Sequence, residues 1–166
     1  MLPISATVIT YNESRNVQEA IQSLSWADEI VVVDSGSSDG TVEICRRFTD
    51  RVVHRDWTGY ADQKNYAVAA ARNDWIFSLD ADERVSPELQ AEIRELAGKG
   101  FTMRAYKIPR AAFFMGRWLR HGDWYPDYQL RLFDRRCGKW EGGRVHESFK
   151  TGEKTGILKG EIQHFT

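Results

Sequence analysis

The stretch SLDADERV, residues 78–85, groups three carboxylates at the end of an apolar run. Asp80 and Asp82 flank one alanine, and Glu83 follows directly. Like charges this close repel each other, so a purely structural role gives little reason to collect them there. Paired carboxylates can instead hold a hard cation such as Mg²⁺ or Mn²⁺, which takes oxygen ligands and bridges a protein to a diphosphate. Any acidic turn produces an isolated D-x-D, but its place after a core strand strengthens the signal.

Polar residues also end two other apolar runs. The run that begins at Ile4 ends in TYNE, which supplies Thr10, Tyr11 and Glu13. The run EIVVVD ends in Asp34, ahead of a glycine-serine turn. Ligands of open α/β sheets bind beyond the carboxyl ends of the strands. The three clusters therefore predict one site at one edge of a sheet.

Helix capping competes with ligand binding for part of this set. Ser38, Asp39 and Thr41 precede or begin a predicted helix, and Ser, Asp and Thr are favoured at N-caps in any case. Both interpretations stay open for these three residues. For Asp34 we favour a ligand role, because it ends an apolar run and precedes a glycine turn.

The elements that must position these groups alternate along the first hundred residues. The predicted strands cover 4–10, 29–34, 51–56 and 75–80, and the predicted helices cover 16–24, 41–48, 60–71 and a segment capped by Ser86 that ends at a glycine. Asn12 or Ser14 is the candidate cap of the first helix. This alternation predicts an α/β fold, with a mostly parallel central sheet and helices on both faces.

After residue 100 the pattern changes. AYKIPR, YQLRLF and GILKGEIQHF are typical of strands, and an aromatic loop joins the first two. We interpret residues 1–166 as a single domain. Residues 1–100 form its nucleotide-binding half, and residues 101–166 form a smaller, more irregular half.

Composition excludes several classes of protein. Hydrophobic residues make up 42% and charged residues 28%, as in ordinary soluble domains. A net charge of −1 shows no basic excess for nucleic acid. No apolar run approaches the length of a bilayer span, and the N-terminus lacks a secretory signal, which predicts a cytoplasmic protein. Cys45 and Cys137 lie far apart without metal-ligand spacing, so we expect reduced thiols.

The glycines do not form a phosphate loop. The sequence contains no G-x-x-x-x-G-K and no G-x-G-x-x-G after the first strand. This weakens the case for a mononucleotide hydrolase or a dinucleotide dehydrogenase. A bound phosphate would need another source of positive charge, such as a cation on paired carboxylates.

Four segments together resemble family 2 glycosyltransferases of the GT-A fold, the nucleotide-diphospho-sugar transferase fold. They are ISATVITYNESRNV, EIVVVDSGSSDGT, QKNYAVAAARNDWIFSLDADE and DWYPDYQLRLF with GGRVHES. They occur in the family's order over nearly the whole chain, and they look most like the lipopolysaccharide core glucosyltransferase-like group. The resemblance implies an inverting transfer of glucose or a related hexose from a UDP-sugar to a lipopolysaccharide-core or other envelope glycan. Members commonly continue past a segment like HFT, so the chain looks like a short member or part of a longer one.

Carried over residue by residue, the resemblance assigns the nucleotide-sugar contacts to Thr10, Tyr11, Glu13, Asp34, Lys64, Asp80 and Ala81. Asp34 would bond the uracil or its ribose, and Lys64 would lie near the base or the diphosphate. Asp80 would contact ribose or metal-bound water. Asp82 would ligate the Mg²⁺ or Mn²⁺ ion. His146 would complete the metal shell or meet the diphosphate, unless it is a structural histidine.

An inverting transfer also needs a base within reach of the acceptor hydroxyl. The carboxylates of the second half are Asp123, Asp127, Asp134, Glu141 and Glu147. Asp134 and Glu141 lie in charged stretches that we expect to be solvated. Asp127 follows the aromatic loop and matches the family's position for the acidic base, so we predict that it is the base. Glu147 is the alternative.

Three further residues keep two interpretations each. Arg131 alternates with leucines, so it either steers the diphosphate or forms the polar side of a half-buried strand. Glu83 either lines the donor-sugar pocket or holds the turn. His164 is a weaker candidate for the site because it lies at the chain end.

The loop 113–126 mixes aromatic residues with Arg117, Arg120 and His121. As an acceptor lid, its rings would stack on sugar faces and its cations would meet an acceptor phosphate or anionic headgroups. Core packing beneath a long loop is the alternative. Long loops in compact domains are usually functional or disordered, which favours the lid. A peripheral contact with the inner membrane surface is a further expectation.

Two other functions remain open. A sugar-phosphate nucleotidyltransferase also uses an α/β sheet and paired carboxylates, but it usually has a glycine-rich N-terminal loop that TYNESRN lacks. A catalytically silent nucleotide-sugar-binding domain is the other. The intact carboxylates at Asp34, Asp80, Asp82, Asp127 and Glu147 argue against it.

Overall fold

A computed structural model of the protein describes residues 1–143 and 146–165. Strands and helices alternate in the first half: β1 Ile4–Thr10, α1 Val17–Gln22, β2 Glu29–Asp34, α2 Thr41–Cys45, β3 Val52–His54, α3 Tyr60–Ala70, β4 Trp75–Asp80, β5 Glu83–Val85 and α4 Pro87–Lys99. The second half consists of β6 Ala105–Phe114, β7 Arg117–Leu119, β8 Asp127–Asp134, β9 Gly138–Gly142, β10 Glu147–Thr151, β11 Gly156–Ile157 and β12 Ile162–Phe165, with 3₁₀ turns at Gly122–Trp124 and Arg135–Cys137.

Most of these strands join one sheet, in the order β3-β2-β1-β4-β8-β6-β12-β5. The first four are parallel to one another, whereas β8 is antiparallel to both β4 and β6. The short strands β7 and β11 also pair with β6, and β9 and β10 form a separate hairpin. The predicted α/β fold with a mostly parallel centre is confirmed.

The sheet order reverses at β1. The chain leaves β1 for β2 and β3 on one side and later returns to β4 on the other. Ile9 lies opposite Asp80, and Thr10 lies opposite Asp34, so the predicted polar strand ends share one edge. A crevice for ligands forms at the carboxyl ends of the strands where such a reversal occurs.

The central strands are largely apolar, as is typical of parallel strands whose two faces are both buried. On one face of β4, Phe77 packs in a core with Ile21 of α1 and Ile93 of α4. On the other face, Ile76 packs in a core with Phe133 and with residues of α3 and the β9–β10 hairpin. Successive side chains of β4 therefore serve opposite layers, as the pleat of a strand requires.

The starts of two helices test the predicted caps. The Ser86 hydroxyl accepts a hydrogen bond from the Leu89 N–H at 3.2 Å, which confirms the cap of α4. The predicted cap of α1 is wrong, because the N-cap position is Asn16, whose side chain makes no capping bond. The Asn12 side chain is used elsewhere, where it accepts from the Ser38 N–H at 2.9 Å.

Several elements differ from the prediction. The helix predicted over 41–48 ends at Cys45, and the strand predicted over 156–165 is divided into β11 and β12. The loop predicted over 113–126 is partly a β6–β7 hairpin. Strands β5, β9 and β10 escaped prediction because they are short and lack a regular apolar alternation, so pairing with distant partners stabilises them.

Candidate functional site

A cavity of about 1020 Å³ opens at the carboxyl ends of β1 and β4. Seven of the predicted site residues line it: Thr10, Tyr11, Glu13, Asp80, Ala81, Asp82 and Glu147. The first six come from the ends of two adjacent parallel strands and the residues that follow them. Glu147 comes from the first position of β10, so the second half of the chain contributes a wall.

Asp34 organises the turn beside this cavity. It is buried, and its carboxylate accepts from the Thr10 hydroxyl at 2.8 Å and from the Gly36 and Ser37 N–H groups at 2.9 and 2.8 Å. Burial alone would raise the pKa of Asp34, but the hydrogen bonds from Ser37, Thr10 and Gly36 outweigh it and lower that pKa. Asp34 thus fixes the glycine-serine turn to the end of β1, and its contact with a nucleotide stays a prediction.

The capping role that the sequence left open for Ser38, Asp39 and Thr41 is not observed, because the N-cap of α2 is Gly40 and no side chain makes a capping bond there. Asp39 accepts hydrogen bonds from the N–H groups of Thr41 and Ser14, both at 3.1 Å. Its pKa falls to about 2, mainly because of the hydrogen bond from the Thr41 side chain. These bonds join the start of α2 to the loop after β1 and so shape the cavity indirectly.

Lys64 is buried and contacts residues from two walls of the cavity. Its side chain is 3% exposed, and Nζ lies 3.0 Å from Asp80 Oδ1 and 2.7 Å from Glu147 Oε1. The ammonium also lies 4.4 Å from the centre of the Trp140 ring, a cation–π distance. Lys64 therefore ties α3 to β4 and to the β9–β10 hairpin.

Arg131 is the second buried cation beneath the acidic turn. Its guanidinium lies 3.3 Å from Asp80 Oδ2 and 2.6 Å from Glu83 Oε2, and it donates to the Ser78 carbonyl at 3.2 Å. Burial would raise the pKa of Asp80, yet the positive charges of Arg131 and Lys64 lower it overall. The sequence left two interpretations of Arg131 open, a group that steers the diphosphate or the polar side of a half-buried strand. The side chain is only 3% exposed, so the half-buried strand is wrong, and the contact with a diphosphate stays a prediction.

Glu83 holds the turn from inside. Its side chain is 0% exposed, and Oε2 accepts from the Asp80 backbone N–H at 2.9 Å. Oε1 receives hydrogen bonds from Arg131 and Arg110, each at 3.1 Å. Of the two roles that the sequence left open, this is the structural one, because a fully enclosed carboxylate cannot line the cavity.

Asp82, which lies between β4 and β5, contacts a histidine of β12. His164 Nε2 lies 3.0 Å from Asp82 Oδ2, and the Phe165 N–H donates to the Asp82 carbonyl at 2.9 Å. The hydrogen bond to Asp82 raises the pKa of His164, against the effect of burial. His146 is exposed, and within the described ranges no hydrogen bond or ion pair joins it to Asp82. The fold therefore places His164, the weaker of the two histidine candidates in the sequence, beside Asp82, the predicted metal ligand.

Asp127, the predicted base, lies at the start of β8. Its Oδ2 accepts from Arg110 Nε at 3.0 Å and Nη2 at 2.8 Å, and its Oδ1 accepts from Gln129 Nε2 at 2.9 Å. The side chain is 42% exposed, so a hydroxyl can approach it. Asp134 was expected to be solvated, which is wrong, because it is buried and caps the 3₁₀ turn through the Arg136 N–H.

The sequence missed an aromatic pair at the mouth of the cavity. Trp57 and Tyr60 line it and pack edge to face, with ring centroids 4.6 Å apart. They are 48% and 41% exposed, which leaves ring surface open to a planar ligand. The available signal in the sequence was their position on either side of Gly59, where α3 begins.

Part of the aromatic segment 113–126 packs into an aromatic cluster. Phe113, Trp118 and Phe165 form a cluster with centroid distances of 5.1 to 5.7 Å. Arg120 pairs with Glu161 and stacks over Trp118 at 4.9 Å. Part of the segment therefore packs as the alternative expected, while its role as an acceptor lid stays a prediction.

The donor set of the cavity suits a hard divalent cation. Within the described residues, no group of three or more His, Cys, Asp or Glu side chains could hold a metal ion by itself. Mg²⁺ commonly uses one or two carboxylates and completes its shell with water and substrate phosphate, which Asp82 beside His164 would allow. Burial raises the pKa of Glu13, and the nearby charges of Asp82 and Asp80 add to that rise. A cation would relieve this repulsion, so the residues fit the expected ion.

The fold is that of the GT-A glycosyltransferases. It matches S. aureus TarS 1-349 in complex with UDP-GlcNAc with a TM-score of 0.71 at 16% identity, covering 99% of this chain and 59% of that one. It also matches the mannosyltransferase PcManGT from Pyrobaculum calidifontis in complex with GDP-Man and Mn²⁺, with a TM-score of 0.59 at 23% identity, covering 82% and 46%. At these identities the likeness concerns the fold alone.

The sequence profile of Glycosyl transferase family 2 matches residues 5–152, and the chain belongs to that family. It is similar to the lipopolysaccharide core biosynthesis glycosyltransferase LpsC of Rhizobium meliloti (strain 1021), with 32% identity over 171 residues. That alignment covers 99% of this chain and 63% of LpsC, so the chain spans less than two thirds of this relative. No helix among the described residues is long and apolar enough to cross a bilayer.

Proposed function

We propose that this chain transfers glucose or a related hexose from a UDP-sugar to a lipopolysaccharide-core or other envelope glycan. The observation that carries the proposal is the cavity at the ends of β1 and β4, where Glu13, Asp80, Asp82 and Glu147 surround space for a ligand. The UDP-GlcNAc complex of TarS supports a UDP-linked donor. The similarity to LpsC supports an acceptor of the lipopolysaccharide core.

The donor would lie along the ends of the two central strands. Thr10, Tyr11 and Glu13 would border the base and ribose, with Asp34 reaching them or holding the turn that does. Trp57, which is 48% exposed at the cavity mouth, offers a ring face to the base. Such placement would present the diphosphate to the acidic turn.

The diphosphate end would be served by a divalent cation. Asp82 would hold Mg²⁺ or Mn²⁺, with His164 as its neighbour, while Asp80 is committed to Lys64 and Arg131. When bound, the ion supplies Lewis-acid stabilisation of the leaving diphosphate. The Mn²⁺ in the mannosyltransferase complex supports this use of a cation. His146 stays an alternative ligand.

The transfer itself would be a single displacement with inversion. The acceptor hydroxyl would give its proton to Asp127 as its oxygen bonds to the anomeric carbon. The bond from that carbon to the diphosphate oxygen would break, and its electron pair would leave with UDP. Asp127 is 42% exposed and so accessible to a hydroxyl. Glu147 lines the donor cavity and is the alternative base.

The place of action follows from the proposed acceptor. A lipopolysaccharide-core acceptor is lipid-linked, so the domain would work in the cytoplasm with a peripheral contact at the inner face of the membrane. The exposed side chains of Phe114, Met115 and Trp124 in the segment 113–126 suit such a contact. We treat residues 1–166 as one catalytic domain in this proposal.

A UDP titration tests the donor and metal roles. Calorimetry with and without Mn²⁺ should show metal-dependent binding in the parent that is lost in Asp82→Ala. Asp50→Ala is the matched control, because this exposed aspartate lies just before β3, away from the carboxyl ends of the strands. Unchanged, metal-independent binding in Asp82→Ala would contradict the metal role.

Turnover separates the enzyme from a silent nucleotide-sugar-binding domain. One observation favours the silent alternative: both candidate bases are engaged in ion pairs, Asp127 with Arg110 and Glu147 with Lys64. Release of UDP from UDP-glucose, with and without a heptose-containing acceptor, distinguishes the two. Acceptor-stimulated release supports the transferase, and UDP binding without any release supports the silent domain.

A further inference from the structure

Arg110 lies between two carboxylates that belong to different parts of the site. Its Nε and Nη2 donate to Asp127 Oδ2 at 3.0 and 2.8 Å, and its Nη1 donates to Glu83 Oε1 at 3.1 Å. Arg110 and Asp127 are also cross-strand partners of β6 and β8. One guanidinium therefore connects the predicted base to the residue that holds the acidic turn.

The Glu83 end of this connection is firmly anchored. Glu83 is 0% exposed, and its other oxygen binds both the Asp80 N–H at 2.9 Å and Arg131 at 2.6 Å. A buried carboxylate with this many donors has little freedom to move. The position of Arg110 is therefore tied to the turn that carries Asp80 and Asp82.

The Asp127 end is oriented but not enclosed. Arg110 occupies one oxygen, Gln129 Nε2 donates to the other at 2.9 Å, and the side chain remains 42% exposed. The rotamer of the carboxylate is thus restricted on both sides while one face stays open. A group that must receive a proton from an incoming hydroxyl needs this combination.

The chemistry of the bridge requires an arginine. A guanidinium is a planar fork that can bind two carboxylates at once, whereas an ammonium is a single point charge on a flexible stem. Burial would lower the pKa of Arg110, but the charges of Glu83 and Asp127 raise it overall. The bridge therefore keeps its positive charge.

We propose that Arg110 is a positioning residue, which sets the orientation of Asp127 and fixes its position relative to the Asp80–Glu83 turn. The proposal rests on the proposed function, in which Asp127 receives the acceptor proton. It predicts that Arg110 acts through Asp127 on the rate of the chemical step. Donor binding, which uses the ends of β1 and β4, should not depend on it.

The test compares variants for release of UDP from UDP-glucose and for Mn²⁺-dependent UDP binding. Arg110→Met should lower kcat by about 100-fold, as expected for a misplaced catalytic group, and leave KM for UDP-glucose and Kd for UDP within about 3-fold. Arg110→Lys keeps a cation beside buried Glu83, so it should fold like the parent and recover part of kcat. A parent-like kcat in Arg110→Lys and Arg110→Met would overturn the proposal.

Two further variants separate positioning from a general structural effect. Arg104→Met is the matched control, because Arg104 also joins two carboxylates, Asp134 at 3.5 Å and Glu153 at 3.1 Å, and should leave kcat unchanged. Combined with Asp127→Asn, Arg110→Met should add no further loss, whereas fully additive losses would show that Arg110 acts elsewhere. A parent that neither binds UDP nor releases it from the donors tested overturns the proposed function, and the positioning role with it.

Discussion

His164 Nε2 lies 3.0 Å from Asp82 Oδ2, although the two residues are 82 positions apart in the sequence. The contact exists because β12 adds to the sheet between β6 and β5 and brings the end of the chain to the acidic turn. Asp82 lines the donor cavity, so in the proposed function His164 stands next to the carboxylate that would hold Mn²⁺.

This contact leads to a prediction about metal dependence. We expect His164→Ala to weaken Mn²⁺-dependent UDP binding by roughly 10-fold, the usual cost of losing a group in or next to a metal shell. His146→Ala is the comparison variant, because the exposed His146 is the alternative ligand. A loss in His146→Ala but not in His164→Ala, measured by calorimetry, would return the role to the residue that the sequence favoured.

The buried Glu83 should be essential for stability. Glu83→Gln would leave the enclosed Arg131 without its closest carboxylate, and removing one partner of a buried pair costs about 3–5 kcal/mol of unfolding free energy. Glu95→Gln breaks only an exposed pair with Lys99 on α4, which solvent screens, so its effect on the free energy of unfolding should be much smaller. Urea denaturation measures both, and equal effects would contradict the importance of the buried pair.

Trp57 should contribute to nucleotide binding. Stacking of a base on an aromatic ring is worth about 1–3 kcal/mol, so Trp57→Ala should weaken UDP binding by about 5- to 150-fold. Trp124→Ala is the matched control, because this tryptophan is 70% exposed and does not line the cavity. Equal affinities of the two variants would remove Trp57 from the site.

The two thiols should differ sharply in reactivity. Cys45 is 0% exposed, and burial, aided by the charge of Asp34, raises the pKa of its thiol to about 12. Far below that pKa the thiol stays protonated, so at pH 8 it should react with a disulfide reagent only when the protein unfolds. Cys137 is only partly buried and should react in the folded protein. Fast labelling of folded Cys137→Ser would contradict this expectation.

Strands β1, β2 and β4 were recognisable because continuous apolar runs ending in polar residues are typical of buried parallel strands. The same runs indicated that Thr10, Asp34 and Asp80 share an edge, and their register confirms it. The cap at Ser86 was predictable because it depends only on residues three positions away.

Other features were beyond any local pattern. Trp140 and Phe149 are core residues of the β9–β10 hairpin, yet their neighbours in sequence are charged residues, glycine or serine, so the hairpin's burial depends on packing against Phe133. The full enclosure of Arg131 follows in the same way from ion pairs with Asp80 and Glu83, about fifty positions earlier.

By itself the sequence determined the α/β alternation, the polar strand ends and the acidic turn, because each depends on residues that are neighbours in the chain. Only the tertiary structure decided that His164 meets Asp82 and that Arg110 joins Glu83 to Asp127. Those contacts arise from the pairing of β5, β6, β8 and β12, strands that are far apart in sequence. The register of such long-range pairs is set by packing of the whole sheet, which no local stretch of residues contains.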